Sequence, residues 1–209
     1  MNKIRVLDLG SGQFPYTALE NETVTHVDFR DETVPDVVHD LASYPYPFED
    51  NSFDKIYASH ILEHLPNNVE FMEEIYRICK HDGTINLRVP HFSGRSAWCD
   101  PTHLRAYSYY QFFYYSDQTD HYGNCFFDVR KFSLHYTRFP HGFFVSKILS
   151  PTIDFFANLN PKLCEKVWCY WVGGFSEVVV NLRPVKGEER DKREKAYRDK
   201  TGKQVVFEG

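Results

Sequence analysis

Acidic residues and glycines follow short hydrophobic segments at several points in the N-terminal part of the sequence. Asp8 and the turn Gly10-Ser11-Gly12 end the first segment, and Asp28 and Asp40 come after the next two. Carboxylates in such positions can accept hydrogen bonds from sugar hydroxyls or amino groups, and glycines allow the backbone to approach a ligand closely. The pattern therefore indicates a nucleoside-binding site.

The first turn distinguishes between classes of nucleotide ligand. A dinucleotide fingerprint requires a third glycine, and a phosphate-binding loop ends in Gly-Lys-Ser/Thr, whereas this turn continues as Gln13-Phe14-Pro15. The turn thus favours a nucleoside without phosphates. We expect Asp28 to accept both ribose hydroxyls and Asp40 to accept a hydrogen bond from an adenine amino group. Phe29 and Leu41 would sandwich the ring.

Hydrophobic periodicity places these residues at strand ends. An amphipathic helix is predicted over 68–81, with Gly83 as its stop, and helical pieces broken at Pro151 and Pro161 over 143–171. Strands that alternate with a crossover helix and finish in a two-strand ending predict an α/β sheet with an antiparallel edge. Ligands bind at the carboxyl ends of such strands. The predicted strands are 3–9, 24–29, 36–39, 53–59, 84–89, 132–137 and 178–182.

Two connections are too short for ordinary crossover helices. Only about a dozen residues separate Gly12 from the second strand and Asp28 from Asp40, and Pro15 and Pro35 lie within these gaps. A full helix with its turns does not fit there. We therefore predict shortened crossovers and a sheet that is less covered on one face.

Histidines supply the candidate catalytic groups, because imidazole accepts protons near neutral pH. His91 directly follows the fifth strand and is the preferred general base, with His103 as a second catalytic candidate beside Asp100. Ser59 and His60 follow the fourth strand, and His60 is assigned to the cofactor side or the pocket wall. A structural hydrogen-bonding role remains the alternative for each histidine.

The sequence predicts no metal site. His91, Cys99, Asp100 and His103 could gather a divalent ion if their loop folded back, but their spacing matches no standard zinc motif. The segment Glu63-His64 is interpreted as packing or capping a short helix, and is left out of the site.

Taken together, residues 4–91 resemble class I S-adenosylmethionine-dependent methyltransferases, in particular a compact subgroup of the type-11 kind. Leu7-Asp8-Leu9-Gly10-Ser11-Gly12 resembles their first motif, and Val27-Asp28 resembles their ribose-binding acid. Further similar segments are His39-Asp40-Leu41, Pro47–Asp54, Ser59–His64, Glu74–Gly83, Val89-Pro90-His91-Phe92 and Asp100-Pro101-Thr102-His103.

This resemblance implies a Rossmann-like, mostly parallel sheet with an antiparallel C-terminal strand. It implies S-adenosylmethionine as cofactor and in-line transfer of its methyl group to an acceptor. A non-catalytic relative that binds the cofactor and acts as a partner or regulator is the alternative, and the missing third glycine disfavours an NAD-dependent enzyme. The implied cofactor-binding residues are Asp8, Leu9, Gly10, Ser11, Gly12, Asp28, Phe29, Asp40, Leu41, Ser59 and His60.

Composition narrows the class of protein. The 209 residues carry a formal net charge of −5, which argues against general nucleic-acid binding. We expect a small-molecule acceptor, and a protein acceptor is the alternative. Five cysteines without a Cys-x-x-Cys pair predict neither a disulfide framework nor a zinc knuckle. No apolar run reaches the roughly 18 residues of a membrane span, and the charged start predicts no secretory signal. We expect a cytoplasmic protein.

Aromatic residues are concentrated in the middle of the chain, where 17 of the 35 lie between Phe92 and Phe144. We predict one domain over 1–185 with an aromatic-rich cap inserted at 92–131 after the fifth strand, and a charged tail over 186–209 that is solvated or frayed. The segment Tyr107–Tyr115 would line a pocket or pack on a partner subunit, so a homo-oligomer is possible.

Overall fold

The computed structural model describes residues 3–116, 123–137, 145–171 and 174–201. The strands are β1 Ile4–Leu9, β2 Glu22–Asp28, β3 Val37–Val38, β4 Phe53–Ser59, β5 Cys79–Pro90, β6 Phe127–His135 and β7 Glu177–Pro184. The helices are α1 Asn68–Ile78, α2 Ser96–Cys99, α3 Ser150–Leu159, α4 Pro161–Leu163, α5 Cys169–Trp171 and α6 Gly187–Thr201.

The strands of the described residues form a single sheet in the order β3-β2-β1-β4-β5-β7-β6. Strands β1 to β5 pair in parallel, and β7 is antiparallel to both β5 and β6. The predicted mostly parallel sheet with an antiparallel C-terminal strand is thus confirmed. The chain reverses its direction of travel across the sheet between β1 and β4, which opens a crevice at their carboxyl ends.

One face of the sheet carries the hydrophobic core. Leu7, Ile56 and Leu87 are fully buried there and cluster with Phe71 and Ile75 of α1. Helix α1 forms because its apolar residues recur at helical spacing. Its start is fixed by the side chain of Asn67, which accepts hydrogen bonds from the amides of Val69 and Glu70.

The opposite face is lined by polar side chains that bond to one another. Lys55 donates to Glu22 (3.2 Å), and Arg88 donates to Tyr57 (3.1 Å) and Glu177 (3.0 Å). Segments 10–21 and 29–36 contain no α-helix, only a 3₁₀ turn at Asp31–Thr33. The predicted loss of crossover helices is confirmed, and the polar network takes the place of an apolar layer.

The prediction for α1 and β5 was wrong at their junction. The helix ends at Ile78, and β5 begins at Cys79, which pairs with Phe53 of β4. Residues 80–83 bulge between this pair and the next one, and a Cβ on Gly83 would lie 2.6 Å from the Sγ of Cys79. Gly83 is therefore required by a crowded bulge within the strand and is not a helix stop.

The start of β6 was also predicted wrongly. Strand β6 begins at Phe127, five residues before the predicted strand and within the range 92–131 given to the cap, and the cap itself stays a prediction. A register shift between Val129 and Lys131 interrupts the alternation of inward and outward side chains. Pro151 causes no break, since it lies in the first turn of α3, where a proline is tolerated, whereas Pro161 opens α4 after the break at Asn160.

The aromatic segment packs inward. Tyr107, Phe112, Phe113 and Tyr115 are buried, and Tyr107 stacks on Phe112 with ring centroids 5.9 Å apart. The segment therefore offers little of the exposed aromatic surface predicted for subunit contacts, and a homo-oligomer stays a prediction. Within the described part of the chain, we find no helix with both the length and the apolarity to cross a membrane.

The charged tail forms a docked helix over its described part. Arg183 of β7 donates to Asp128 of β6 (2.6 Å) and to Glu189 of α6 (2.7 Å). Arg193 of α6 pairs with both Asp128 and Glu189. These ion pairs attach α6 to the edge of the sheet. Residues 202–209 of the predicted tail lie outside the described residues.

We expect Asp128→Asn to lower the free energy of unfolding at pH 7 by about 1–2 kcal/mol, because Arg130, Arg183 and Arg193 lose a charged acceptor. Burial raises the pKa of Asp128, but hydrogen bonds from Arg183 and Arg193 outweigh it, so the folded-state pKa lies below the usual value. The stabilisation is therefore present above the unfolded-state pKa and disappears as pH falls through the folded-state pKa. Urea titrations at pH 7 and at about pH 3 should show the difference shrinking in acid.

The exposed Asp191→Asn on α6 is the control with the same change of charge. An equal loss in this control would show that net charge, and not the arginine contacts, determines the effect.

Candidate functional site

The turn after β1 is bonded through its backbone to the end of β2. The amides of Gly10 and Ser11 donate to the carbonyl of Val27 at 2.9 and 3.0 Å. Gly10 and Gly12 have φ values of +72° and +52°, which favour glycine. A Cβ on Gly10 would lie 3.0 Å from a side-chain atom of Ile61, so the turn also packs tightly against the segment after β4.

Asp28 links this turn to the end of β2. One carboxylate oxygen accepts from the amide of Gly12 (2.8 Å), and the other accepts from the amide and Nε of Arg30 (2.9 and 3.2 Å). Burial raises the pKa of Asp28, but these donors outweigh it and lower the pKa overall. A cavity of about 620 Å³ adjoins the turn and is lined by Ser11, Gly12, Gln13, Pro15, His26, Arg30, Glu32, Thr33, Val34 and Pro35.

Asp8 and Leu9 support the turn from inside the sheet. The buried Asp8 carboxylate accepts from the amide of Tyr16 (2.8 Å) and contacts Nδ1 of His26 (3.0 Å). Leu9 is fully buried in the core. Both residues therefore hold the backbone of the turn in place.

The predicted adenine sandwich is only half present. Phe29 is 64% exposed and offers an open ring face, whereas Leu41 is 4% exposed and packs in the core. Leu41 was wrongly assigned to the sandwich, because its side chain has almost no surface left for a ligand. Asp40 is exposed and accepts from the amide of Ala42 (2.9 Å), which closes a local turn.

His60 lies at the end of β4, directly after the half-buried Ser59, with φ at +54°. Its ring nitrogens lie 3.2 Å from an oxygen of Glu63 and 3.2 Å from an oxygen of Glu177. Burial lowers the pKa of His60, but these two carboxylates outweigh it and raise the pKa to about 9. His60 is thus a fixed donor between two acids.

His91 does not have the position of a general base. It is fully buried, with its ring nitrogens 2.7 Å from the hydroxyl of Ser93 and 3.0 Å from the carboxylate of Glu165. Glu165 belongs to the helical segment after β6, which packs over the end of β5. The prediction of His91 as catalytic base was therefore wrong, because neither nitrogen reaches an open site.

His103 lies in a cluster with Glu63, His64 and Asp100. Its Nε2 lies 3.9 Å from an oxygen of the fully buried Glu63 and 3.9 Å from an oxygen of Asp100. The rings of His64 and His103 meet edge to face, with centroids 4.7 Å apart. Cys99 is exposed and His91 faces Glu165, so the four residues weighed as a metal set from the sequence do not assemble.

Sequence reasoning missed three charged residues that shape this edge. Arg30 bonds to Asp28, Glu63 is buried beside His60, and Glu177 enters from the distant strand β7. The two-residue spacing of Asp28 and Arg30 and the i, i+3 spacing of His60 and Glu63 were detectable signals. Glu177 had none, because its contact with His60 spans 117 positions.

Comparison with known proteins gives one family-model match. A family model described as a methyltransferase domain matches residues 7–87. No curated protein matches the chain.

Solved structures show the fold. A putative methyltransferase from Haloferax volcanii, in complex with the Trm112 methyltransferase activator, is 16% identical with a TM-score of 0.56, covering 88% of this chain and 84% of that one. A putative methyltransferase from Bacillus halodurans is 15% identical with a TM-score of 0.54, covering 89% and 94%.

Residues 7–87 match the model of a methyltransferase domain, and the chain has the fold of these solved methyltransferases. The turn and the Asp28 carboxylate bonded to it have a geometry that suits a nucleoside. Oδ2 of Asp28 accepts only the Gly12 bond among the described residues, and a carboxylate oxygen accepts two. One acceptor position therefore remains for a donor from a ligand.

We expect His91→Ala to lower the free energy of unfolding by about 2–4 kcal/mol, because it leaves Glu165 buried without its imidazole partner and opens a cavity. Urea unfolding at pH 7 measures the change, with the half-exposed His81→Ala as control. A normal stability together with a large loss of turnover would instead restore the catalytic role.

Proposed function

We propose that this chain transfers a methyl group in line from S-adenosylmethionine to a small-molecule acceptor with an apolar portion. The observation that carries the proposal is the buried Asp28 carboxylate, which spans the gap between the glycine turn and the end of β2. It lies beside a cavity of about 620 Å³. This arrangement supports a nucleoside ligand.

Three kinds of contact would hold the cofactor in this proposal. Asp28 would accept from the ribose hydroxyls, and the open ring face of Phe29 would pack on the adenine. The positive-φ glycines Gly10 and Gly12, with Ser11 between them, would leave the backbone room for the methionine end. The ring of His60 and the strand end at Ser59 would close the opposite side.

Alignment, and not proton transfer, is the main task assigned to the protein here. S-adenosylmethionine supplies a methyl group on a positively charged sulfur, which departs neutral. Positioning the acceptor opposite that sulfur accounts for a large part of such a rate enhancement. Both ring nitrogens of His60 and of His91 are engaged by carboxylate or hydroxyl groups, so neither imidazole is available to take a proton from the acceptor.

The acceptor side is indicated by a second cavity of about 670 Å³ between α3 and the helical residues that follow it. Apolar and aromatic walls of this kind suit the apolar part of a small ligand. Two of the side chains, Phe156 and Trp171, are 65% and 84% exposed. The cavity is lined by Thr152, Ile153, Phe156, Ala157, Leu159, Asn160, Leu163, Cys164, Val167, Trp168 and Trp171.

A direct contact joins this cleft to the end of β5. Cys164 lines the cleft, and its neighbour Glu165 holds His91 and accepts from the amide of Tyr109. The wall of the cleft is therefore anchored at the carboxyl ends of the parallel strands, where the proposed cofactor site also lies. This placement supports an acceptor that lies in the cleft and extends toward the methyl group.

The first test is the affinity for S-adenosylmethionine measured by calorimetry. We expect Asp28→Asn to weaken binding about 10- to 100-fold, since a charge-assisted hydrogen bond contributes roughly 1.5–3 kcal/mol. The exposed Asp31→Asn is the control with the same charge change on the neighbouring turn. Equal affinities for wild type and Asp28→Asn would exclude the ribose assignment.

Turnover separates the enzyme from a non-catalytic cofactor-binding partner. We expect labelled methyl to pass from the cofactor into extracted metabolites, with more label in the organic phase than in the aqueous phase. Binding without any label transfer from either phase would favour the non-catalytic alternative.

The acceptor cleft is tested with an anilinonaphthalene sulfonate dye as an apolar probe. We expect Phe156→Asp to reduce dye fluorescence strongly, because it places a charge in the cleft wall. Phe155→Asp is the matched control, since Phe155 is similarly exposed on the same helix but is not part of the lining. Equal losses in both variants would mean that the dye reports general surface hydrophobicity.

A further inference from the structure

Glu63 is a buried carboxylate with too few partners. Its side chain is fully buried, Oε1 contacts His60 at 3.2 Å, and Oε2 has no hydrogen-bond partner among the described residues. A buried carboxylate oxygen is normally satisfied by donors or by a cation, because desolvating it costs several kcal/mol otherwise. In the described part of the chain, Oε2 therefore lacks a donor or a cation of its own, although Oε1 contacts His60.

Two imidazoles face this carboxylate with their tautomers already fixed. Nδ1 of His103 lies 3.3 Å from the carbonyl of Ala97, an acceptor only, so this nitrogen carries the proton. Thr102 donates its hydroxyl proton to Asp100 and so accepts from Nδ1 of His64 at 3.0 Å. In the neutral form of both rings Nε2 is therefore the nitrogen without a proton, and this is the form that binds metals.

We propose that Glu63, His64 and His103 bind a divalent transition-metal ion. One ligand atom from each residue lies within 4.8 Å of the others. Two atoms bound to one ion at about 2.1 Å in tetrahedral geometry are about 3.4 Å apart, so the cluster would contract by up to about 1.4 Å on binding an ion. Two imidazoles and one carboxylate suit zinc, and three protein ligands leave a coordination position for a water or for an acceptor oxygen.

The hydrogen bonds behind the two histidines support a built site. Metal-binding histidines usually donate their second nitrogen to a carbonyl or a carboxylate-linked group, which orients the ring. Ala97 and the Thr102–Asp100 pair supply these contacts here. Oδ2 of Asp100 lies 3.9 Å from the Nε2 of His103, so a second carboxylate adjoins the three proposed ligands.

A second group of potential ligands shows what distinguishes the site. His81, Asp82 and Glu189 also lie close together, but Arg183 donates to both carboxylates. That cluster already holds a positive charge. In the part of the chain that the structure describes, the Glu63 side chain is hydrogen-bonded only to His60, which it shares with Glu177, and its Oε2 has no partner.

The test uses the full chain, stripped of metal with a chelator and titrated with Zn²⁺ by calorimetry. We expect one tight equivalent, weakened more than about 100-fold in His103→Ala and in His64→Ala. Thr102→Val should weaken it about 10- to 100-fold by releasing the His64 ring. Titration with Co²⁺ should give the visible absorption of a low-coordinate nitrogen–oxygen site in wild type and not in the two alanine variants.

His81→Ala is the control and should bind like wild type. Circular dichroism of each metal-free variant establishes that the variant is folded. If Glu63→Gln is folded by this measurement, it is titrated with Zn²⁺ in the same way. Absence of a tight equivalent in wild type, or equal binding in all variants, overturns the proposal. Because the measurement is metal binding, its outcome is independent of whether a methyl group is transferred.

Discussion

Burial of negative charge at one edge of the sheet is the constraint on which the site depends. Four acidic side chains there are nearly inaccessible to solvent: Asp8, Asp28, Glu63 and Glu177. Asp8 lies near the end of β1, Asp28 ends β2, and Glu63 belongs to the segment after β4. A buried carboxylate destabilises the fold unless donors or cations surround it. The residues at these strand ends are accordingly arranged to provide hydrogen-bond donors or positive charge to the buried carboxylates.

The compensation differs from one acid to the next. Asp8 and Asp28 are satisfied locally, by backbone amides and by His26 or Arg30. Glu177 is satisfied at long range, by Arg88 from the neighbouring strand and by His60. Glu63 shares His60 with Glu177 and keeps one oxygen unsatisfied among the described residues, which sets it apart from the other three.

A polar sheet face follows from the short crossovers. Without helices over 10–21 and 29–36, an apolar face would be exposed to water, so the outward positions of β4, β5 and β7 carry Lys55, Arg88 and Glu177 instead. These groups are half-buried or buried and bonded in pairs, so the face is stable without a second apolar layer. The asymmetry of the sheet thus depends on side-chain type as much as on topology.

Local patterns explain why the N-terminal half was predictable. The apolar runs, the glycine turn and the prolines at 15 and 35 set strand positions, the turn shape and the missing helices by short-range physics. The junction at Cys79 was not predictable, because a strand pairing with Phe53 overrides helix propensity there. The start of β6 was obscured by its bulge, which breaks the alternation that identifies a strand.

The roles of the histidines could not be obtained from sequence, because each is set by a distant partner. His91 follows β5 as a base would, yet Glu165, 74 positions later, converts it into a structural contact. His103 was predicted as catalytic because of its place in the cap. Its surroundings depend on Glu63, which precedes α1 in the chain and lies 40 positions before His103. The sequence can therefore predict that a histidine lies near the carboxyl ends of the strands, but it does not predict the chemical role of that histidine. The deciding difference is that a nitrogen of His91 is bonded to Glu165, whereas His103 lies beside Glu63, which keeps one oxygen without a partner among the described residues.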